Sequence, residues 1–139
     1  MDVSCPFCQI AREDRFLKET THAFVIFSNP RLMPGHLLVI PKRHVYALSD
    51  LNEEEKKEIF DLLIEFQTKI INSVAEGCDI RLNFKPYVKN SQTHVNHMHF
   101  HLLPRQFQDE LQQKAEQYKD LLYRELPDQE KGKITGLLK

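Results

Sequence analysis

The chain lacks any long apolar run, any excess of one charge and any internal repeat or low-complexity segment. No stretch approaches the ~18 consecutive apolar residues that a membrane-crossing helix needs, so no such span is predicted. Nineteen basic residues against twenty acidic ones leave a formal net charge of −1, with an isoelectric point near 6.6. That balance gives no general attraction to nucleic acid polymers or membranes, so any nucleotide must be recognised locally. Cysteine is scarce, with three in 139 residues. No signal peptide precedes the first, which predicts an intracellular, reducing, cytoplasmic setting. Length predicts one domain, and 41% hydrophobic with 28% charged residues is ordinary for a globular protein.

Against that background stands His97-Met98-His99-Phe100-His101-Leu102-Leu103. Successive side chains of a strand point to opposite faces. The three imidazoles therefore line one face, while Met98, Phe100 and Leu102 enter a core on the other. Alternate residues lie ~6.5–7 Å apart. Such a row can bind a metal at one end and attack a phosphate in the middle. All three on one ion is disfavoured, because alternate strand positions diverge too far for ligands at ~2.0–2.1 Å.

Two more segments carry chemistry. Cys5-Pro6-Phe7-Cys8 reads as a zinc pair or a redox motif. With four residues before it there is no room for the strand a redox motif wants, so zinc is favoured. The pair supplies two of four tetrahedral ligands, and two histidines must come from elsewhere. Pro34-Gly35-His36-Leu37-Leu38-Val39-Ile40-Pro41-Lys42-Arg43-His44 is a turn, a buried strand and a histidine beyond it. The third cysteine, Cys78, is read as a structural thiol.

Strands are expected over 22–28, 36–41 and 80–84, with His22 at an exposed strand start. Asn52 and Glu55 form a capping box opening a helix over about 53–76, which Gly77 stops. Glu53, Glu54 and Glu55 read as a solvated first turn favoured by the helix dipole. Asn83 is either an active-site polar group or a plain surface asparagine. Residues 85–94 read as a polar loop with His94 solvated. Residues 107–126 read as an amphipathic helix anchored by Phe107, Leu111, Tyr118, Leu121 and Leu122, and 127–139 as a loosely attached tail.

Together the three segments resemble the histidine triad (HIT) superfamily of nucleotide hydrolases and transferases, in its zinc-bearing, Hint-like branch. The resemblance runs from Cys5 to Arg105 and includes Leu103-Pro104-Arg105 after the triad. It implies an α+β fold: an antiparallel sheet with a long helix after the second strand and an extra C-terminal helix. It implies a catalytic domain over 1–106 with a helical extension, 107–139, packed on it, and a homodimer. It further implies structural zinc on Cys5, Cys8, His44 and His97, with His99 as nucleophile and His101 and His36 supporting it. Ser28, Asn29, Asn83, Gln92 and Thr93 are the implied substrate-binding positions. The implied reaction attacks a nucleotide α-phosphate through a nucleotidyl-histidine, with purine nucleoside phosphoramidates as the leading substrates. Dinucleoside polyphosphates, or nucleotide binding without catalysis, are the alternatives.

Two positions depart from the family's pattern. A Gly-Gln-Ser/Thr segment usually stands two residues before the first triad histidine. Here Ser91-Gln92-Thr93 is followed by three residues, His94 to Asn96. Either the loop holds one extra residue or Thr93 takes the glutamine's place. The usual ribose-contacting Asp or Asn, eight residues before the Gly-His histidine, is Ser28 here, with Asn29 beside it.

Overall fold

Apolar strands separated by polar turns pair into one antiparallel sheet in the computed structural model, which describes residues 5–10 and 15–139. The strands are β1 (Phe16–Glu19), β2 (Ala23–Phe27), β3 (Leu37–Pro41), β4 (Gly77–Leu82) and β5 (Phe100–Arg105), in spatial order β1-β2-β3-β5-β4. Helix α1 (Glu53–Ser73) links β3 to β4. The α+β architecture is the expected one, with a correction in count: α1 follows the third strand, not the second. The unforeseen strand, β1, reads Phe-Leu-Lys-Glu and has no apolar alternation to announce it. It is an edge strand, where charged residues discourage further pairing.

The sheet has two unlike faces. Val25, Leu37, Val39 and Leu102, with Met98, pack against Ile59, Leu62, Leu63, Phe66 and Ile70 of α1. Burying each of these large helix side chains is worth ~1.5–3 kcal/mol. Phe24, Ile26, Leu38 and Ile40 form the other face, covered in part by Phe7, Ile10 and Phe16. The triad region occupies the rest of that second face.

The expected capping box opens α1. Asn52 Oδ1 accepts from the Glu55 amide at 2.9 Å, and Glu55 Oε1 accepts from the Asn52 amide at 2.9 Å. Glu53 and Glu54 are exposed as expected, but Glu55 is 1% exposed. Its carboxylate is drawn inside by Arg43, whose Nη2 donates at 2.7 Å and Nε at 3.2 Å. The helix ends at Ser73, and Gly77 starts β4 instead of capping α1. β4 therefore begins earlier than the expected 80–84 strand and ends at Leu82. His22 is half-buried, not exposed, because its amide donates to Glu58 Oε1 at 2.9 Å and its ring pairs with the same carboxylate.

Residues 108–139 form a second compact unit. Where one helix over 107–126 is expected, a short helix, α2 (Glu110–Lys114), gives way at Ala115 to a 3-10 turn over Glu116–Leu122. Tyr118, Leu121 and Leu122 are exposed, so the periodicity that suggested one helix finds no apolar partner to hold it. The tail forms a helix of its own, α3 (Asp128–Leu138). Among the described residues no helix is long and apolar enough to cross a membrane.

The Pro34-Gly35 turn admits no larger residue. Gly35 has φ +83, and a Cβ there meets Pro104 Cγ at 3.0 Å and Val74 Cγ1 at 3.2 Å. Gly35→Ala is expected to lower unfolding free energy in urea by ~1–3 kcal/mol, from left-handed backbone strain and crowding together. A variant as stable as the parent contradicts that reading.

Candidate active site and metal centre

The end of β3 and the approach to β5 carry two histidines to the Cys5–Cys8 turn. Pro41 closes β3 and His44 lies three residues on, while His97 stands three residues before β5. Cys5, Cys8, His44 and His97 each offer one ligand atom, and all four atoms lie within 4.8 Å of one another. Cys8 Sγ is 3.1 Å from His44 Nδ1 and 3.5 Å from His97 Nδ1. Cys5 Sγ is 3.4 Å from His97 Nδ1, and the two Nδ1 atoms are 3.1 Å apart. A tetrahedral ion bound at ~2.3 Å to sulfur and ~2.0–2.1 Å to nitrogen sets S···N edges near ~3.6 Å and an N···N edge near ~3.4 Å. These four edges lie within about half an ångström of that cage.

The surroundings of the cluster suit a metal as well. His97 Nε2 lies 2.8 Å from the Pro41 carbonyl, so it carries the proton and leaves Nδ1 free to ligate. His44 Nε2 meets Tyr46 Oη at 2.9 Å. Burial is the main reason the His97 pKa falls to about 4, which keeps the ring in its ligating, neutral form. Two thiols with two imidazoles are a zinc-type donor set, and four protein ligands leave no open position for substrate. The residues therefore fit a structural zinc.

Beyond the cluster, a hydrogen-bond chain assigns the tautomers of the remaining imidazoles. The Leu32 amide donates to His36 Nδ1 at 3.0 Å. His36 must then carry its proton on Nε2, which donates to His101 Nδ1 at 2.9 Å. His101 in turn carries its proton on Nε2, a donor with no acceptor among the described residues. His99 Nδ1 lies 2.7 Å from the His97 carbonyl and donates to it. Among the described residues none donates to the lone pair of His99 Nε2. The rings of His99 and His101 are 4.9 Å apart. Phe7, from the cysteine turn, meets His99 edge-on at 5.1 Å and His97 at 5.8 Å. His97, His99 and His101 thus share a face as expected, although regular strand starts only at Phe100. The Met98 amide, donating to Val45 O at 2.8 Å, extends the alternation upstream.

These rings are kept neutral. Burial lowers the His36 pKa to about 4, reinforced by the nearby charges of His99 and Arg81. Burial lowers His101 to about 3, with His99, His36 and Arg81 adding to it. His99 is lowered too, first by burial, against the opposing bond to the His97 carbonyl, and then by His94. A neutral imidazole with an available lone pair beside an N–H donor is the kind of pair that can attack an electrophile and stabilise the charge that develops on it.

The other expected site residues are less closely gathered. Ser28 is half-buried, receives no side-chain role at the triad, and donates through Oγ to Pro30 O at 2.7 Å, while its amide bonds the His36 carbonyl at 2.9 Å. Asn29, Asn83, Gln92 and Thr93 are exposed. The Thr93 amide donates to Ser91 Oγ at 3.2 Å. His94 departs from expectation: it is half-buried, not solvated, with Nε2 2.8 Å from Asn96 Oδ1. Its place three residues before His97 was the available signal. Cys78 is half-buried, and burial, then Asp79, pushes its pKa up to about 11.

The model of the HIT domain family matches residues 11–108. An asymmetrical bis(5'-nucleosyl)-tetraphosphatase of Schizosaccharomyces pombe is 33% identical over 106 residues, covering 76% of this chain and 53% of that protein. An adenosine 5'-monophosphoramidase of Xenopus tropicalis is 31% identical over 109 residues, covering 73% of this chain and 68% of that protein. A zinc-bound histidine triad family protein from Mycobacterium smegmatis superposes with a TM-score of 0.66 at 26% identity, covering 92% of this chain and 86% of that one. The fold, the triad and this match together make the chain a member of the HIT family. It spans about half the length of the tetraphosphatase that it matches.

The lowered imidazole pKa values have a consequence for stability. His36 and His101 bind protons more weakly folded than unfolded, where imidazole titrates near ~6.5. Stability is therefore full above that pH and is lost as pH falls toward about 4 and about 3, because the unfolded state takes up the protons first. NMR titration is expected to show both rings neutral at pH 5.5. Either ring titrating at or above the ordinary histidine value contradicts the assignment.

Proposed function

We propose that this chain is a zinc-stabilised nucleotide hydrolase or nucleotidyl transferase acting at the α-phosphate through a nucleotidyl intermediate on His99. The observation that carries this reading is the His99 Nδ1 bond to the His97 carbonyl at 2.7 Å, which leaves Nε2 as a lone pair. In the first step a bond forms between His99 Nε2 and phosphorus, the bond from phosphorus to the leaving group breaks, and a departing amine nitrogen takes up a proton from solvent. The spare N–H of His101, set by the chain from Leu32 through His36, donates to the charge that develops on oxygen. In the second step water bonds to phosphorus, the N–P bond breaks, and the water's proton goes to solvent. Purine nucleoside phosphoramidates are the first substrates to test. The relatives named as a phosphoramidase and a tetraphosphatase support a nucleotide phosphate as substrate, and a polyphosphate leaving group is the second reading.

His99→Ala is expected to abolish turnover of adenosine phosphoramidate while leaving the melting temperature and zinc content near those of the parent. His101→Ala is expected to slow turnover by ~10²–10³-fold, the cost of one lost transition-state donor. Full activity in His99→Ala would falsify the mechanism and favour a binding module.

Zinc on Cys5, Cys8, His44 and His97 would be structural, its binding free energy being part of the folding free energy. Elemental analysis of protein purified without chelator is expected to give one zinc per chain. Cys5→Ser should lose the metal and much of the stability. A metal-free parent with both cysteines reduced counts against the assignment.

A cytoplasmic homodimer completes the reading. Phe60, Ile64 and Ile71 on α1, and Val74 at its C-cap, are 65%, 54%, 47% and 52% exposed. Their spacing of three to four residues, or multiples of it, makes one apolar stripe, next in chain order to the open edge of β4. A second copy covering stripe and edge removes both liabilities. Light scattering at micromolar concentration is expected to give twice the 16.4 kDa chain mass; the mass of a single chain rejects the dimer.

A further inference from the structure

The two histidines of the Cys5–Cys8–His44–His97 cluster are held in unlike ways. His97 is 1% exposed, and its Nε2 lies against the carbonyl of Pro41, the last residue of β3. That partner is backbone, which no side-chain substitution removes. His44 is half-buried and lies outside the strands. Its Nε2 meets the hydroxyl of Tyr46, two residues on, at 2.9 Å. The phenol ring stands edge-on to the imidazole, with centroids 4.8 Å apart, and Tyr46 is 47% exposed. The cysteines divide in the same way, Cys5 being buried and Cys8 half-buried. One side of the cluster, Cys5 with His97, is sealed; the other, Cys8 with His44, borders solvent.

Tyr46 is itself placed by local bonds. The Asp50 carboxylate accepts from the amides of Tyr46 and Ala47, at 3.3 and 3.0 Å. Val45, between His44 and Tyr46, is buried, and its carbonyl accepts from the Met98 amide at 2.8 Å. The backbone on both sides of Tyr46 is therefore fixed, and the hydroxyl is delivered to His44 by the two-residue spacing. A neutral imidazole has one N–H. His44 Nδ1 is turned to Cys8 Sγ and His97 Nδ1. Ligation through Nδ1 puts the proton on Nε2, where Tyr46 Oη accepts it. An acceptor in that place fixes the tautomer and the ring orientation and raises the basicity of the ligating nitrogen.

We infer that Tyr46 is a positioning residue of the metal centre: its hydroxyl latches His44, the histidine on the solvent side, and so sets how slowly zinc is released. The inference rests on the zinc assignment proposed above. A metal leaves through the ligands that turn most readily toward solvent. His97 is enclosed by the core and held by backbone, so of the two imidazoles it is His44 whose retention depends on a side chain.

The test compares the zinc-loaded parent with zinc-loaded Tyr46→Phe, which keeps the ring against His44 and removes the hydroxyl alone. Release of zinc to an excess of a chromogenic chelator is expected to be ~10–100-fold faster in Tyr46→Phe, with a zinc Kd weaker by the same factor, the scale of one lost outer partner of a ligand. Proton–nitrogen NMR of the loaded proteins supplies a second readout. The His44 Nε2 proton should exchange with water faster in Tyr46→Phe, while the His97 Nε2 proton, held by Pro41, exchanges as in the parent. Unchanged release, or a His44 proton that exchanges as in the parent, overturns the inference. So does equal acceleration at His44 and His97, which would mark a general loosening of the fold. The zinc assignment survives all three. A parent that takes up no zinc overturns both.

Discussion

The site depends on the pairing of β3 with β5. Leu37 opposes Leu102, Leu38 opposes His101 and Val39 opposes Phe100. This register sets His36, just before β3, against His101, and brings the Pro41 carbonyl to His97 Nε2. A slip of one residue would exchange the two faces. If β5 slips, Leu102 leaves the α1 core and the imidazoles turn into it. Since both strands are apolar on the α1 side, hydrophobic burial and chemistry enforce the same register. The core is in this sense the positioning device for the histidines.

Around that pairing, two supports hold the loops that lack regular structure. Arg43 binds the buried Glu55 carboxylate and also donates to the Asp50 carbonyl at 2.5 Å. The Arg43 hydrogen bond is the main reason the Glu55 carboxyl titrates below its ordinary range. Because Glu55 also belongs to the capping box, the start of α1 and the segment carrying His44 are tied at one carboxylate. The second support is Phe7, whose edge contacts with His97 and His99 join the cysteine turn to the candidate nucleophile. Order in the Cys5–Cys8–His44–His97 cluster is thereby passed to His99 through packing.

What could be read in advance follows from how local each signal is. The alternation of His97 to Leu103, the Cys5–Cys8 spacing and the Asn52–Glu55 cap are complete within a few residues. Each appears in the structure as a shared imidazole face, part of a four-residue cluster, and a reciprocal pair of hydrogen bonds. The features missed need a distant partner. β1 is a strand only because β2 pairs with it, and Glu55 is buried only because Arg43 meets it. The break at Ala115 belongs with these, since helix periodicity does not reveal whether an apolar face has anything to pack on.

The central claim is that His99 Nε2 becomes covalently bonded to the substrate's phosphorus. Its most direct test is to mix the protein with adenosine phosphoramidate, quench within one turnover under alkaline denaturing conditions, digest, and measure peptide masses. The account predicts a nucleoside monophosphoryl group on the peptide containing His99, lost on mild acid treatment and absent from His99→Ala. Turnover in the parent with that group on another residue, or with no adduct in a quench series that resolves the first turnover, would contradict it.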